Sequence, residues 1–122
     1  MNFRKYTTKS GKSVFAGKDS EQNEYLIGNN LNKDDLVFHT ASPGSPFCVI
    51  MGEISKEDIK ETAVFCARYS QEWKKSKNKK DVSVHYFKGE DIHKEKGMKK
   101  GTFGVRKFKV IMARKEDIEN LR

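Results

Sequence analysis

Leu36-Val37-Phe38-His39-Thr40-Ala41-Ser42-Pro43-Gly44-Ser45-Pro46-Phe47-Cys48-Val49-Ile50-Met51 decides how this chain is read. Residues 36–39 and 47–51 are apolar runs of strand length. Ser42-Pro43-Gly44-Ser45-Pro46 between them is a turn signal, because proline presets φ and glycine accepts positive φ. A helix follows at once. Ser55 is a candidate N-cap with Asp58 three residues on, an S-x-x-D variant of the capping box, and Ile54 and Ile59 hold the positions of a hydrophobic staple. Ile59, Ala63, Cys66, Ser70 and Trp73 then keep helical spacing, which predicts one core-facing stripe on a helix from about Lys56 to Trp73.

Working outward, residues 2–7 and 12–16 read as two strands around Lys9-Ser10-Gly11-Lys12. Ser20 is a candidate cap for a short helix that ends near Gly28. On the other side, Val82-Ser83-Val84-His85-Tyr86 alternates as a strand, and 88–100 is polar and punctuated by glycine, a long loop. Residues 102–105 and 107–113 are expected to form a final strand pair, with a short helix from about Lys115. Strands outnumber helices and most connections are short. The expected fold class is therefore α+β: a mainly antiparallel sheet with two to three helices packed on it, in one domain spanning 1–122.

Charged residues make up 34% of the chain and apolar residues 35%, so a thin core under a heavily charged surface is expected. Eight Phe, four Tyr and one Trp argue against disorder. Cys48 and Cys66 form no C-x-x-C and lie inside apolar runs, which predicts buried, reduced thiols. Met1-Asn2-Phe3-Arg4-Lys5 carries no apolar signal segment, and no run approaches the ~20 apolar residues of a membrane span. A soluble cytoplasmic protein with no membrane partner is the expectation.

The net charge of +8 is unevenly spread. Residues 1–60 carry eight Lys/Arg and eight Asp/Glu, whereas 61–122 carry seventeen and nine. A local surplus of cations attracts polyanions, although a lysine-rich surface can also serve solubility alone. Two basic stretches stand out: Lys74, Lys75, Lys77, Lys79 and Lys80, then Lys94, Lys96, Lys99 and Lys100 continued by Arg106, Lys107 and Lys109. Such a surface gains affinity by releasing counterions from phosphates. Gly97 and Gly101 would let the loop backbone come close to a phosphate. Trp73, Tyr86, Phe87 and Phe103 are interleaved with the charges; an exposed one could stack on an unpaired base, but aromatics at strand positions are usually core.

His39, His85 and His93 invite an enzymatic reading, as a nuclease would use histidine as acid or base and lysine as phosphate clamp. No metal-ligand spacing, nucleophile–base arrangement or nucleotide signature accompanies them. Asp34 and Asp35 would point to opposite faces of a strand, so one of them is expected to cap a turn. No catalytic residue, metal, cofactor or small-molecule substrate is expected.

An ordered set of residues carries a family resemblance. Gly17-Lys18-Asp19-x-x-Gln22-Asn23-Glu24-x-Leu26, Asp35-Leu36-Val37-Phe38-His39, Pro43-Gly44-Ser45, Ala63, Ala67, Tyr69-Ser70, Val84-x-Tyr86, Lys94-x-Lys96-Gly97 and Gly101 resemble the pattern of the NFACT-R domain. That domain is the RNA-binding module of NFACT proteins, which act on obstructed large ribosomal subunits, and it also occurs as short stand-alone proteins. The sequence departs from the pattern at Val37, where the family usually has Trp, and at Pro46, where it often has His. The resemblance implies an α+β fold, RNA (transfer RNA or ribosomal RNA, with the large subunit as a possible partner) and a link to ribosome-associated quality control. Transfer-RNA recruitment and tail elongation by full-length NFACT proteins are shared with other domains, none of which is in these residues.

Together these readings name Lys74, Lys75, His39, Ser45, Lys94, Lys96, Lys99, Lys100, Arg106 and Lys107 as the candidate RNA-binding set. Two other functions compete: an adaptor whose basic face meets an acidic protein, and an RNA-processing enzyme. Phe38 in the core with His39 held by a backbone partner is the plainer reading of that segment.

Overall fold

The computed structural model describes residues 2–29 and 31–121. The chain opens with the hairpin β1 (Arg4–Thr7) and β2 (Ser13–Ala16), turned at Gly11 with φ +91°. Helix α1 (Ser20–Asn29) follows. Its first turn is capped one residue earlier than expected: Asp19 Oδ1 accepts from Gln22 N at 2.8 Å, and Ser20 is already helical. Strands β3 (Leu36–Thr40) and β4 (Cys48–Ile50) then form the hairpin of the deciding stretch, with Phe38 opposite Cys48. Asp35 caps the approach to β3, its carboxylate accepting from Asn32 N at 2.8 Å.

Helix α2 (Lys56–Arg68) starts on the expected capping box, with Asp58 N donating to Ser55 Oγ at 3.1 Å and Ser55 N to Asp58 Oδ2 at 3.0 Å. It does not run on to Trp73. The Ser70 hydroxyl donates to Ala67 O at 2.7 Å and accepts from Trp73 N at 3.2 Å, so it closes one helix and caps the next, α3 (Gln71–Lys75). Serine competes with the helical backbone for its own hydrogen bonds, and here it wins. Trp73 is still buried.

Strand β5 (Val82–Lys88) leads through a 3₁₀ turn into β6 (Ile92–His93), which pairs with β7 (Gly104–Val105) as a small ribbon. Strand β8 (Lys109–Ala113) and helix α4 (Lys115–Asn120) finish the chain. The expected pairing of 102–105 with 107–113 is therefore corrected. β8 runs beside β5 over five registered residues, while β7 turns back to β6, pinned by Arg106 N donating to Asp91 O at 2.8 Å. The main sheet is antiparallel throughout, in the order β1-β2-β4-β3-β5-β8. With four helices among the described residues the fold is α+β, one helix more than the upper expectation.

Alternation puts two hydrophobic clusters on the two faces of this sheet. Val14, Phe38, Cys48, Ile50, Val82, Val84 and Ala113 lie under α2 and α4. Burial pushes the Cys48 thiol up, its contact with Cys66 adding to the effect, and both cysteines are free thiols. Val37, Val49, Phe87 and Phe15 lie on the opposite face, covered by Leu26 and Ile27 of α1 and by Phe47, Ile92, Phe103 and Val105. That second cover stops at β5. Beyond it Phe108, Val110 and Met112 stand 50%, 56% and 49% exposed.

Candidate nucleic-acid interface

The incomplete cover leaves a groove of about 430 Å³ where β3, β5 and the Lys100–Phe103 segment meet. His39 and His85 are cross-strand partners and both line it. Phe108 lies against His85 with ring centroids 4.0 Å apart and planes 18° off parallel, a stacked pair at the open edge. Phe47 and Phe103 form the inner wall, edge to face at 5.5 Å. Val110, opposite His85, and Met112, opposite Ser83, carry the apolar surface along β8.

The histidine ring at the floor has a fixed role. His39 Nδ1 lies 2.8 Å from Thr40 O, a carbonyl that can only accept, so the proton sits on Nδ1 and Nε2 keeps a lone pair. Burial holds its pKa below the usual imidazole value, with a smaller contribution from His85, so the ring is neutral at pH 7. The plainer reading of this residue and the ligand reading therefore coexist: one nitrogen is tied to the backbone while the ring still lines the groove.

The basic loop is not a loose tail. Lys94 Nζ donates to Glu24 Oε1 at 2.8 Å, Lys99 O at 2.6 Å and Thr102 O at 2.9 Å, and lies 4.7 Å from the Phe103 ring centre. Glu24 also accepts from Gly101 N at 2.8 Å; its carboxyl is held below the usual range, first by Lys94 and then by that N–H. Gly101 has φ +81°, and a Cβ there would meet Ser20 Cα at 2.8 Å, so only glycine lets the loop lie on α1. This clamp presents Lys96, Lys99 and Lys100 outward, all exposed, with Lys100 on the groove.

The candidate residues thus divide. Lys96, Lys99, Lys100, Arg106 and Lys107 are all exposed; of them Lys100 lines the groove, and Lys107 lines a neighbouring pocket with Phe108 and Lys109. Lys94 spends its three donors holding the loop. Ser45 lines the groove but holds the turn, its hydroxyl accepting from Thr40 N at 3.0 Å and donating to Pro46 O at 3.1 Å. Helix α3 docks on that turn through Gln71 N and Gly44 O, 2.9 Å apart. Lys74 consequently shares a smaller cleft of about 210 Å³ with Arg4 and Lys18, which adjoins the groove at Ser20, Gly44 and Ser45. Lys75 is exposed on the same helix, and Lys79 caps its end by donating to Trp73 O.

Of the aromatics weighed for stacking, Trp73 and Phe87 are buried, Tyr86 stacks on Phe38 under the other face, and Phe103 reaches the groove. Phe108, the most exposed aromatic ring, was not among them. Its signal was the alternation Phe108-x-Val110-x-Met112 between basic residues, which marks a strand face without saying whether anything covers it. Among the described residues no group of three or more His, Cys, Asp or Glu could hold a metal, and no helix is long and apolar enough to cross a membrane.

Comparison with known proteins adds three findings. A family model described as the NFACT protein RNA binding domain matches residues 2–107. The archaeal Rqc2 homolog aRqcH of Methanocaldococcus jannaschii is 38% identical over 109 residues, 84% of this chain, and the Rqc2 homolog RqcH of Bacillus subtilis is 34% identical over 97 residues, 79% of it. The chain spans 16% of the length of each of these relatives. The solved C-terminal region of a fibronectin/fibrinogen-binding protein from Streptococcus suis superposes with a TM-score of 0.85 at 22% identity, over 100% of this chain and 49% of that one, a likeness of fold. Since the family model covers residues 2–107, most of the chain, this chain belongs to the NFACT protein RNA binding domain family.

Proposed function

We propose that the chain is an RNA-binding module of ribosome-associated quality control or translation, contacting transfer RNA or large-subunit ribosomal RNA chiefly through phosphates. The observation that carries this reading is the clamped loop: Glu24 and Lys94 hold it with Lys96, Lys99 and Lys100 exposed and Lys100 lining the groove. A pre-ordered cluster of cations engages a polyanion without first losing loop entropy. Membership of an RNA-binding family supports RNA as the ligand class, and likeness to Rqc2 homologs supports ribosome-associated quality control as the setting. The reading assigns the chain no reaction.

The test is fluorescence anisotropy with labelled transfer RNA and with a large-subunit RNA fragment across a salt series. A log–log slope of about −3 to −6 corresponds to roughly four to seven neutralised phosphates. Lys96→Glu, Lys99→Glu and Lys100→Glu together should weaken binding strongly and flatten the slope in a folded protein. Unchanged affinity in that variant would remove the loop from the interface. Absent binding to both RNAs at physiological salt would favour the adaptor reading, in which a partner survives ribonuclease treatment.

A further inference from the structure

The open half of the sheet is built differently from a surface that only collects phosphates. We infer that the groove beside Phe108 is a site for an unpaired nucleobase, so that the RNA recognised is single-stranded or carries an extruded nucleotide; the inference rests on the RNA-binding reading above. A duplex read through its backbone offers phosphates and 2′-hydroxyls and has no use for an exposed ring. Here Phe108 is half exposed and backed by the nearly parallel ring of His85 at 4.0 Å, a stacked platform at the open edge. Phe108, Val110 and Met112 share one face of the sheet at alternate positions, and a row of exposed apolar side chains of this kind marks an interaction site.

Size and charge select the occupant. At about 430 Å³ the groove lies near the small end of ligand sites, which run from about 300 to 1,000 Å³, and suits one nucleotide better than a helix. Lys100 stands on its rim, where the phosphate of a nucleotide stacked on Phe108 would meet an ammonium. Val110 and Met112 extend the apolar surface along β8, the edge strand, which gives a second base a place to lie. A base with a flanking phosphate matches this pairing of exposed aromatic and cation; an acidic protein segment would match the lysines and leave Phe108 bare.

The experiment compares a labelled oligoadenylate of about ten nucleotides with a blunt RNA duplex of about 16 base pairs, on the 122-residue chain and on Phe108→Ala and Phe108→Trp. The wild type should prefer the single strand. Phe108→Ala should weaken it about tenfold, within the range a stacked base contributes, leaving the salt slope and duplex binding unchanged. Phe108→Trp should keep the affinity, and oligoadenylate should quench the added indole, resolved from buried Trp73 by difference against wild type. Equal affinity for both RNAs, with Phe108→Ala without effect on either, would overturn the stacking site while RNA binding stands. Failure of both RNAs to bind wild type would instead overturn the RNA reading itself, and this inference with it.

Discussion

Val84 and His85 are neighbours in β5 and sit in different surroundings. Val84 is fully buried beneath α2, whereas His85 faces the open side, where Val110 across from it is 56% exposed. The two faces of one sheet have thus been given different tasks. The face under α2 is closed from β2 to β8 and holds most of the core, including Phe38 at 0% exposure. The other is closed over β2, β4, β3 and the Phe87 end of β5, by α1 and by a loop that must first be clamped in place. Stability is concentrated on one side, while the other keeps an exposed ring and exposed lysines.

The largest effect should come from the closed face. Phe38→Ala should cost about 3–5 kcal/mol by urea denaturation, the range for emptying a buried aromatic site. A loss under about 1 kcal/mol would mean that the core is not where the two faces put it. Next, Gly101→Ala attacks the open side at its anchor. The change forces a positive φ on a residue with a side chain and drives a methyl group into Ser20. Amide exchange should rise across 94–102 and RNA affinity should fall, with exchange in β3, β5 and α2 unaltered. Faster exchange throughout would show that the loop is part of the global fold and not an attachment to it.

What was legible in the sequence follows the same division. The Leu36–Met51 hairpin and the Ser55–Asp58 cap rest on interactions a few residues apart, so local pattern revealed them. The break at Ser70 was local too, yet Trp73 kept the helical phase and hid it. The clamp joins Glu24 to Lys94 and Gly101, 70 and 77 residues away; the resemblance marked all three without showing that they touch. Lys94 looked like one more cation in a basic run until its partners were in view. Phe108 was missed because alternation reports which residues share a face, not whether another element lies on it.

Acid should discriminate between the sides. Asp58 on the closed side is held at about 2, against an ordinary 3.8, first by the Ser10 hydroxyl at 2.6 Å and then by Ser55 N–H. A depressed carboxylate contributes stability that is complete above its ordinary pKa and is lost as pH falls through the folded value. Thermal stability should therefore decline between about pH 4 and 2, and Asp58→Asn should flatten that limb. An unaltered acid limb in Asp58→Asn would assign the loss to other carboxylates. On the open face, Val110→Thr with Met112→Thr should move stability by no more than about 0.5 kcal/mol, as exposed positions do, while single-strand affinity falls severalfold. A large stability loss there would mean that the face is covered in solution by something that contributes to folding.

The smallest effect tests where the two sides meet, at His39. Its ring is pressed on Phe47 at 4.6 Å and its Nδ1–H is held by Thr40 O. Burial lowers its pKa most; the Thr40 bond pulls the other way, and His85 across the strand adds a smaller lowering. The unfolded chain therefore takes up this proton before the folded one does. The resulting stability is complete above the ordinary value of 6.5 and is lost as pH falls from there through the folded pKa. His39→Gln, which removes the titrating group, should take a shallow slope out of the stability profile just below pH 6.5 and leave the Asp58 limb further down untouched. If that slope survives in the variant, His39 is as free to protonate as an exposed imidazole, and the groove floor is open to water where the structure has it packed.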